Sequence, residues 1–134
     1  MNDREAVIKH LEMIQVIINR LGRDSFFIKG WSTVLPSVIA LFAMRYDIPF
    51  IYIIFLLIFP IVFWGLDAYY LWQARLFRGL YDEIRKQRKT DFDMRWSQEI
   101  ERKNKWRDVL WSRNIWPFYT AQIVFILSMH FFKP

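Results

Sequence analysis

The 134-residue sequence predicts an all-α integral membrane protein. The expected order is an N-terminal amphipathic helix, a transmembrane helical hairpin, a long cytosolic helical hairpin and a third transmembrane helix. Three observations predict it. Ile48 to Leu66, IPFIYIIFLLIFPIVFWGL, is nineteen residues without a charge, and about 20 mainly apolar residues cross the hydrocarbon of a bilayer. The chain is 54% hydrophobic and 19% aromatic, with seven Trp and thirteen Phe; a small soluble domain has little interior for so many large rings. Charge is also unevenly placed. Residues 73–113 hold twelve Lys or Arg against seven Asp or Glu, whereas the turn at Arg45 and the C-terminus hold one basic residue each.

The boundaries implied are 1–24, 25–72, 73–113 and 114–134. Asn2 with Glu5 forms a capping-box pattern at the start of a helix over Asn2–Leu21. Val7, Leu11, Ile14, Ile18 and Leu21 follow 4-3-4-3 spacing and share one face. Val16 and Ile17 broaden that face, which favours packing on cytosolic neighbours over lying on lipid. Gly22 is expected to end this helix. Phe26 to Met44 is the first membrane segment, with Lys29 extending its ammonium to the interface. Thr33, Ser37 and Ala40 make a small, weakly polar stripe, suited to close approach by the next helix or by another subunit. Pro36 is a possible kink, its freed carbonyl available to neighbouring hydroxyls.

Arg45-Tyr46-Asp47 and Pro49 read as a tight turn. Ile48 to Lys89 reads as one helix of about forty residues, roughly 60 Å long. Counted outward from the turn, Lys29 and Asp67 fall at similar depth and are expected to pair, or at least to share a wet interface. Trp31, Trp64, Tyr69, Tyr70 and Trp72 would form an aromatic belt near that level. Thr90-Asp91 offers a turn, and Phe92 to Arg113 reads as a helix returning to the membrane, packed through Phe92, Trp96, Ile100, Trp106, Leu110 and Trp111. Ile115 to Phe132 is the third membrane segment, capped by Asn114 or Ser112, with Pro117 in its first turn. Gln122, near its middle, needs a hydrogen-bond partner on another helix. His130 reads as an interfacial residue.

Topology follows from charge: the N-terminus and 73–113 lie in the cytoplasm, the short turn and the C-terminus outside. The net charge of +6 then reflects membrane orientation and anionic lipid rather than nucleic acid, because acids interleave the basic runs. The absence of cysteine excludes disulfides, thiolate metal sites and a Cys nucleophile. The first 25 residues do not read as a signal peptide, since charges recur through them. No phosphate loop, metal-binding spacing or nucleophile motif occurs, so the expectation is a non-enzyme without catalytic residues, metal or cofactor. Three helices cannot enclose an aqueous path alone, so conduction would require a homo-oligomer.

Two functions remain in competition. In one, the protein is a membrane effector whose cytosolic surface binds a partner and self-associates through Val7, Leu11, Ile14, Ile18, Trp96 and Trp106. Lys29, Thr33, Ser37, Asp67 and Gln122 would serve intramembrane packing. In the other, the same surfaces anchor an accessory or scaffold subunit to another membrane protein.

The run FWGLDAYYLWQARLFRGLYDEIR (Phe63–Arg85), with HLEMIQVIINRL and KGWSTVL upstream, resembles small bacterial membrane proteins over about two thirds of the chain. Some proteins of this kind act in anti-phage immunity as single-gene effectors. They use a ring-shaped phage protein, such as a portal or small terminase, as a template for a membrane pore. The resemblance implies abortive infection at the bacterial inner membrane by a resting monomer awaiting a phage trigger. It carries no site residues.

Overall fold

The computed structural model describes residues 1–47 and 49–132. They form five helices and no strand: α1 Asp3–Arg45, α2 Ile51–Gln87, α3 Gln98–Lys103, α4 Trp106–Leu110 and α5 Trp116–Phe131. α1 and α2 are each long and apolar enough to cross a membrane. The expected helix start at Ile48, and the terminal Lys133, lie outside the described residues.

α1 opens on the capping box read from the sequence. Asn2 Oδ1 accepts the Glu5 N–H at 2.9 Å and Glu5 Oε2 accepts the Asn2 N–H at 3.4 Å. The expected break at Gly22 is absent, because the helix continues for 43 residues. A glycine inside a helix costs only about 1 kcal/mol, and the buried stripe on either side of it is unbroken. Val7, His10, Ile14, Ile18, Leu21, Ser25, Ser32, Pro36 and Ala40 all face inward at helical spacing. The helix also continues through Pro36. Hydroxyls nearby bond backward along the chain: Ser32 and Thr33 donate to the Lys29 carbonyl, and Ser37 donates to that of Thr33 at 2.6 Å.

α2 realises the single long helix expected after the turn, ending at Gln87 with Arg88 in the left-handed region (φ 57°), a common helix stop. The return helix expected over Phe92–Arg113 does not form. Residues 88–97 are irregular, and two short helices follow. The side chains explain this. Thr90 Oγ1 accepts the Phe92 N–H, Asp91 Oδ1 that of Asp93, and Asp93 Oδ1 that of Arg95, at 3.0–3.1 Å. These two-residue turns occupy donors that a helix would need. Ser97 then caps α3, its Oγ accepting the Ile100 N–H, and Asn104 ends it.

α5 with its two cap residues covers the expected Ile115–Phe132, and only the expected cap is corrected. Its N-cap is Ile115, without a side-chain cap; Ser112 contributes its carbonyl, which accepts the Ile115 and Trp116 N–H groups, and Asn114 is not the cap. Its 16 residues rise about 24 Å, less than the roughly 30 Å of hydrocarbon.

The chain divides into two compact units. One comprises residues 1–25 and 69–109. Its core joins Val7, Ile14 and Ile18 of α1 to Leu80 and Ile84 of α2, with Leu11, Phe77, Tyr81 and Met94 packed against it. Each such aliphatic side chain contributes roughly 1.5–3 kcal/mol when fully buried. Ile100 packs directly on the α2 backbone at Gly79, where an added Cβ would lie 2.7 Å from its Cγ2. The other unit comprises 26–68 and 110–134, with Leu56, Ala68, Ile115, Tyr119 and Ile126 buried.

Candidate functional site

Polar groups gather inside the second unit. Asp67 on α2 is wholly buried and pairs with Lys29 on α1 at 2.5 Å, the pairing that equal distance from the turn implied. Tyr119 on α5 donates its hydroxyl to the same carboxylate at 3.0 Å. One acid thus ties three helices together. Trp64 stacks on Tyr119, with centroids 6.2 Å apart and planes within 7°, and its Nε1–H donates to the Leu110 carbonyl at 2.9 Å. Trp111 meets the same indole edge-on.

One turn further along α1 from Lys29, the Gln122 amide donates to Ser32 Oγ (3.2 Å) and Thr33 Oγ1 (2.8 Å). Gln122 therefore finds its partner within the chain, on α1. Its Oε1 is buried without a hydrogen bond. Ser37 donates to the Thr33 carbonyl and lines the space between α1 and α5.

The arrangement inverts the polarity of a soluble core. Ser32 and Asp67 are buried, while Phe26, Trp31, Val34, Leu41, Phe55 and Ile61 are each more than half exposed. Within the most apolar windows of α1 and α2, only 17% and 22% is buried.

The first unit places the other sequence-predicted residues. Val7, Leu11, Ile14 and Ile18 lie against Leu80 and Ile84, so in this conformation the stripe is covered by the chain itself. Trp96 packs edge-on against Phe77 at 5.5 Å. Trp106 remains 39% exposed and takes no place in that core. Trp72 donates its Nε1–H to the Asn104 carbonyl at 2.7 Å. The Arg95 guanidinium and backbone N–H both bind Asp93, holding its carboxyl below the usual carboxylate range.

Sequence reasoning missed His10, Ser32 and Tyr119. His10 is fully buried, hydrogen-bonded through Nδ1 to Thr90 and against the Phe92 ring, with Nε2 unpartnered. Its position between Val7 and Ile14 on the stripe was the available signal. Ser32 and Tyr119 stand at helical spacing from Lys29 and Gln122, but an aromatic at a membrane boundary reads first as an interfacial anchor. Among the described residues, no three His, Cys, Asp or Glu side chains gather closely enough to hold a metal ion. No family model, curated protein or solved structure matches the chain.

Proposed function

We propose that the chain is a multi-pass protein of the bacterial inner membrane, with its N-terminus in the cytoplasm, that acts by assembly rather than catalysis. On meeting a trigger protein, copies associate and the assembly breaches the bilayer. The setting implied by the sequence resemblance is abortive infection, with a ring-shaped phage protein as trigger. No cofactor or nucleic acid is required.

One observation carries the membrane assignment: the inverted polarity of 26–68 with 110–134. Large apolar side chains face outward while an ion pair, a tyrosine hydroxyl and an amide are bonded inside. In water that exterior would be a very large apolar patch. In lipid it is the favourable arrangement, since polar side chains there face the bundle interior and bond one another. Support for an assembly switch comes from the N-terminal stripe. Val7, Ile14 and Ile18 cover apolar surface on α2, and a trigger that binds the uncovered state more tightly would shift the equilibrium toward it.

The test is membrane potential after induction in bacteria, with and without phage. Depolarisation only on infection is the expected result. Depolarisation without phage would make the protein a constitutive toxin. No depolarisation in either condition would overturn the effector reading. That result would favour an accessory subunit, a role supported by the way its polar groups are bonded within one chain, leaving the apolar exterior for a partner.

A further inference from the structure

A cavity of about 350 Å³ between α1 and α5 is lined by Thr33, Pro36, Ser37 and Ala40 of α1 and by Ala121 and Phe125 of α5. Its polar wall has its protons committed inside the chain. Ser32 and Thr33 donate to the Lys29 carbonyl, and Ser37 donates to that of Thr33. The Gln122 amide nitrogen donates to Ser32 and Thr33. What remains is a row of acceptors. One of them, Gln122 Oε1, is buried without a hydrogen bond. An unsatisfied buried acceptor is costly, and this wall has no donor left to serve it.

The opposite face of α1 carries what the cavity lacks. Phe27, Trp31, Val34, Val38 and Leu41 are between 45% and 68% exposed, and their 4-3-4-3 spacing makes them one ridge. Three ridge residues each stand two positions before a cavity residue: Trp31 before Thr33, Val34 before Pro36, and Val38 before Ala40. Two positions along an α-helix turn it about 200° and raise it about 3 Å. Ridge and cavity therefore face opposite ways at nearly one depth. Rotation about the membrane normal brings the ridge of one copy to the cavity of the next. Large side chains there meet small ones, which lets helices approach closely in lipid. Trp31 adds electrostatic complementarity, because its indole N–H has no acceptor among the described residues. We infer that α1 is the self-association element of this protein: the 27–41 ridge of one copy seats in the α1–α5 cavity of a second copy, and the Trp31 Nε1–H donates to the acceptors there. Head-to-tail contacts of this kind close into rings or run on as filaments, whereas a ridge packed on a ridge would stop at a dimer. This rests on the membrane-assembly reading above and names its interface.

The experiment is disulfide cross-linking of the full chain in bacterial membranes, before and during phage infection, with copper–phenanthroline as oxidant. The chain has no cysteine of its own. Val34→Cys lies on the ridge and Ala121→Cys at the cavity, both at exposed positions. Within one chain the body of α1 separates them, and cysteines whose Cβ atoms point apart cannot bridge. On infection the double variant should give a ladder of dimers, trimers and higher species, as a head-to-tail contact requires. Each single variant should give at least tenfold less cross-linked product. Adding Trp31→Ala, or adding Ser37→Leu to narrow the cavity, should reduce the ladder about tenfold, the scale of losing a buried anchor. Trp31→Phe, which keeps a ring without the donor, should reduce it about fivefold, the scale of one hydrogen bond. Dimers from Val34→Cys alone that match the double variant would overturn the inference. So would an undiminished ladder with any of the three added substitutions. A lysine-reactive cross-linker on the same membranes separates the two claims. Multimers with that reagent but no cysteine ladder refute this interface alone. No multimers with either reagent refute the assembly reading as well.

Discussion

Asp67 has no solvent exposure and is bonded by Lys29 and Tyr119. Removing one partner of a buried pair strands the other, at about 3–5 kcal/mol, whereas replacing both by apolar groups can be neutral. Lys29 keeps 24% exposure, which softens the effect. Lys29→Met should therefore lower the thermal midpoint in detergent more than Lys29→Met with Asp67→Leu, and equal losses would show that the pair is not coupled. Tyr119→Phe should cost about 1.5–3 kcal/mol, as expected for a bond to a charged acceptor. The two helical glycines make a second contrast. Gly22 has nothing within 4 Å of an added Cβ, so Gly22→Ala should stabilise by about 1 kcal/mol. At Gly79 the same methyl meets the branched Ile100 side chain at 2.7 Å. Overpacking costs about 1–3 kcal/mol, so Gly79→Ala should be neutral to destabilising despite its better helix propensity. Thermal unfolding of the two variants in one detergent checks this contrast.

The segment 88–97 shows how single side chains decide an element. Thr90 Oγ1 serves both the Phe92 N–H and the His10 ring, and Phe92 holds φ 59°, a left-handed conformation that costs a bulky residue roughly 1–2 kcal/mol. Thr90→Val should destabilise the unit of 1–25 and 69–109 by about 1–3 kcal/mol, by leaving the Phe92 N–H and His10 without their partner; a thermal midpoint equal to wild type would contradict this. Asp93 behaves differently with pH. Its folded-state pKa is lowered by Arg95, so the contact with Arg95 favours the folded loop above the ordinary carboxylate range and is lost as pH falls through the lowered value. On α1, Ile14 is fully buried while Leu11 is only partly so. Ile14→Asp should unfold this unit, which makes Leu11→Asp the cleaner probe of assembly. It should alter triggered depolarisation while leaving membrane insertion intact, and wild-type activity would remove the stripe from the mechanism. These cases also mark what the sequence made legible. Uncharged length and helical periodicity revealed the two halves of α1, though not their continuity through Gly22, together with α2 and the Lys29–Asp67 pair, because those signals are local or follow from symmetric counting about one turn. The return segment was not legible: Phe92, Trp96 and Ile100 keep helical spacing, but Thr90, Asp91 and Asp93 bind backbone N–H groups two residues ahead. The Tyr119–Asp67 bond spans 52 residues, a separation at which spacing carries no information.

For the molecule as a whole, the proposed topology rests on unequal charge, and the cysteine-free sequence makes it directly testable. A single cysteine reports its own side of the membrane to a thiol reagent that cannot cross lipid. Three positions suffice. Tyr46, 67% exposed in the turn between α1 and α2, should be labelled in intact spheroplasts as Tyr46→Cys. Glu101, exposed on α3, lies in the basic segment, so Glu101→Cys should be labelled only after the membrane is opened. The third position addresses α5, whose rise of about 24 Å falls short of the hydrocarbon thickness. Val124 is 59% exposed in the chain, so in water Val124→Cys would react as readily as any surface thiol. If lipid surrounds it, the thiol stays protonated and screened, and labelling should be at least tenfold slower than at Tyr46→Cys even after permeabilisation. Slow labelling would mean that α5 completes a three-helix membrane unit, the bilayer thinning or the flanking Trp111 and Trp116 sitting deep to offset its short length. Rapid labelling only after permeabilisation would place α5 in cytoplasmic water, leaving a two-helix hairpin as the membrane anchor. The Tyr119–Asp67 bond would then join the anchor to a soluble helix.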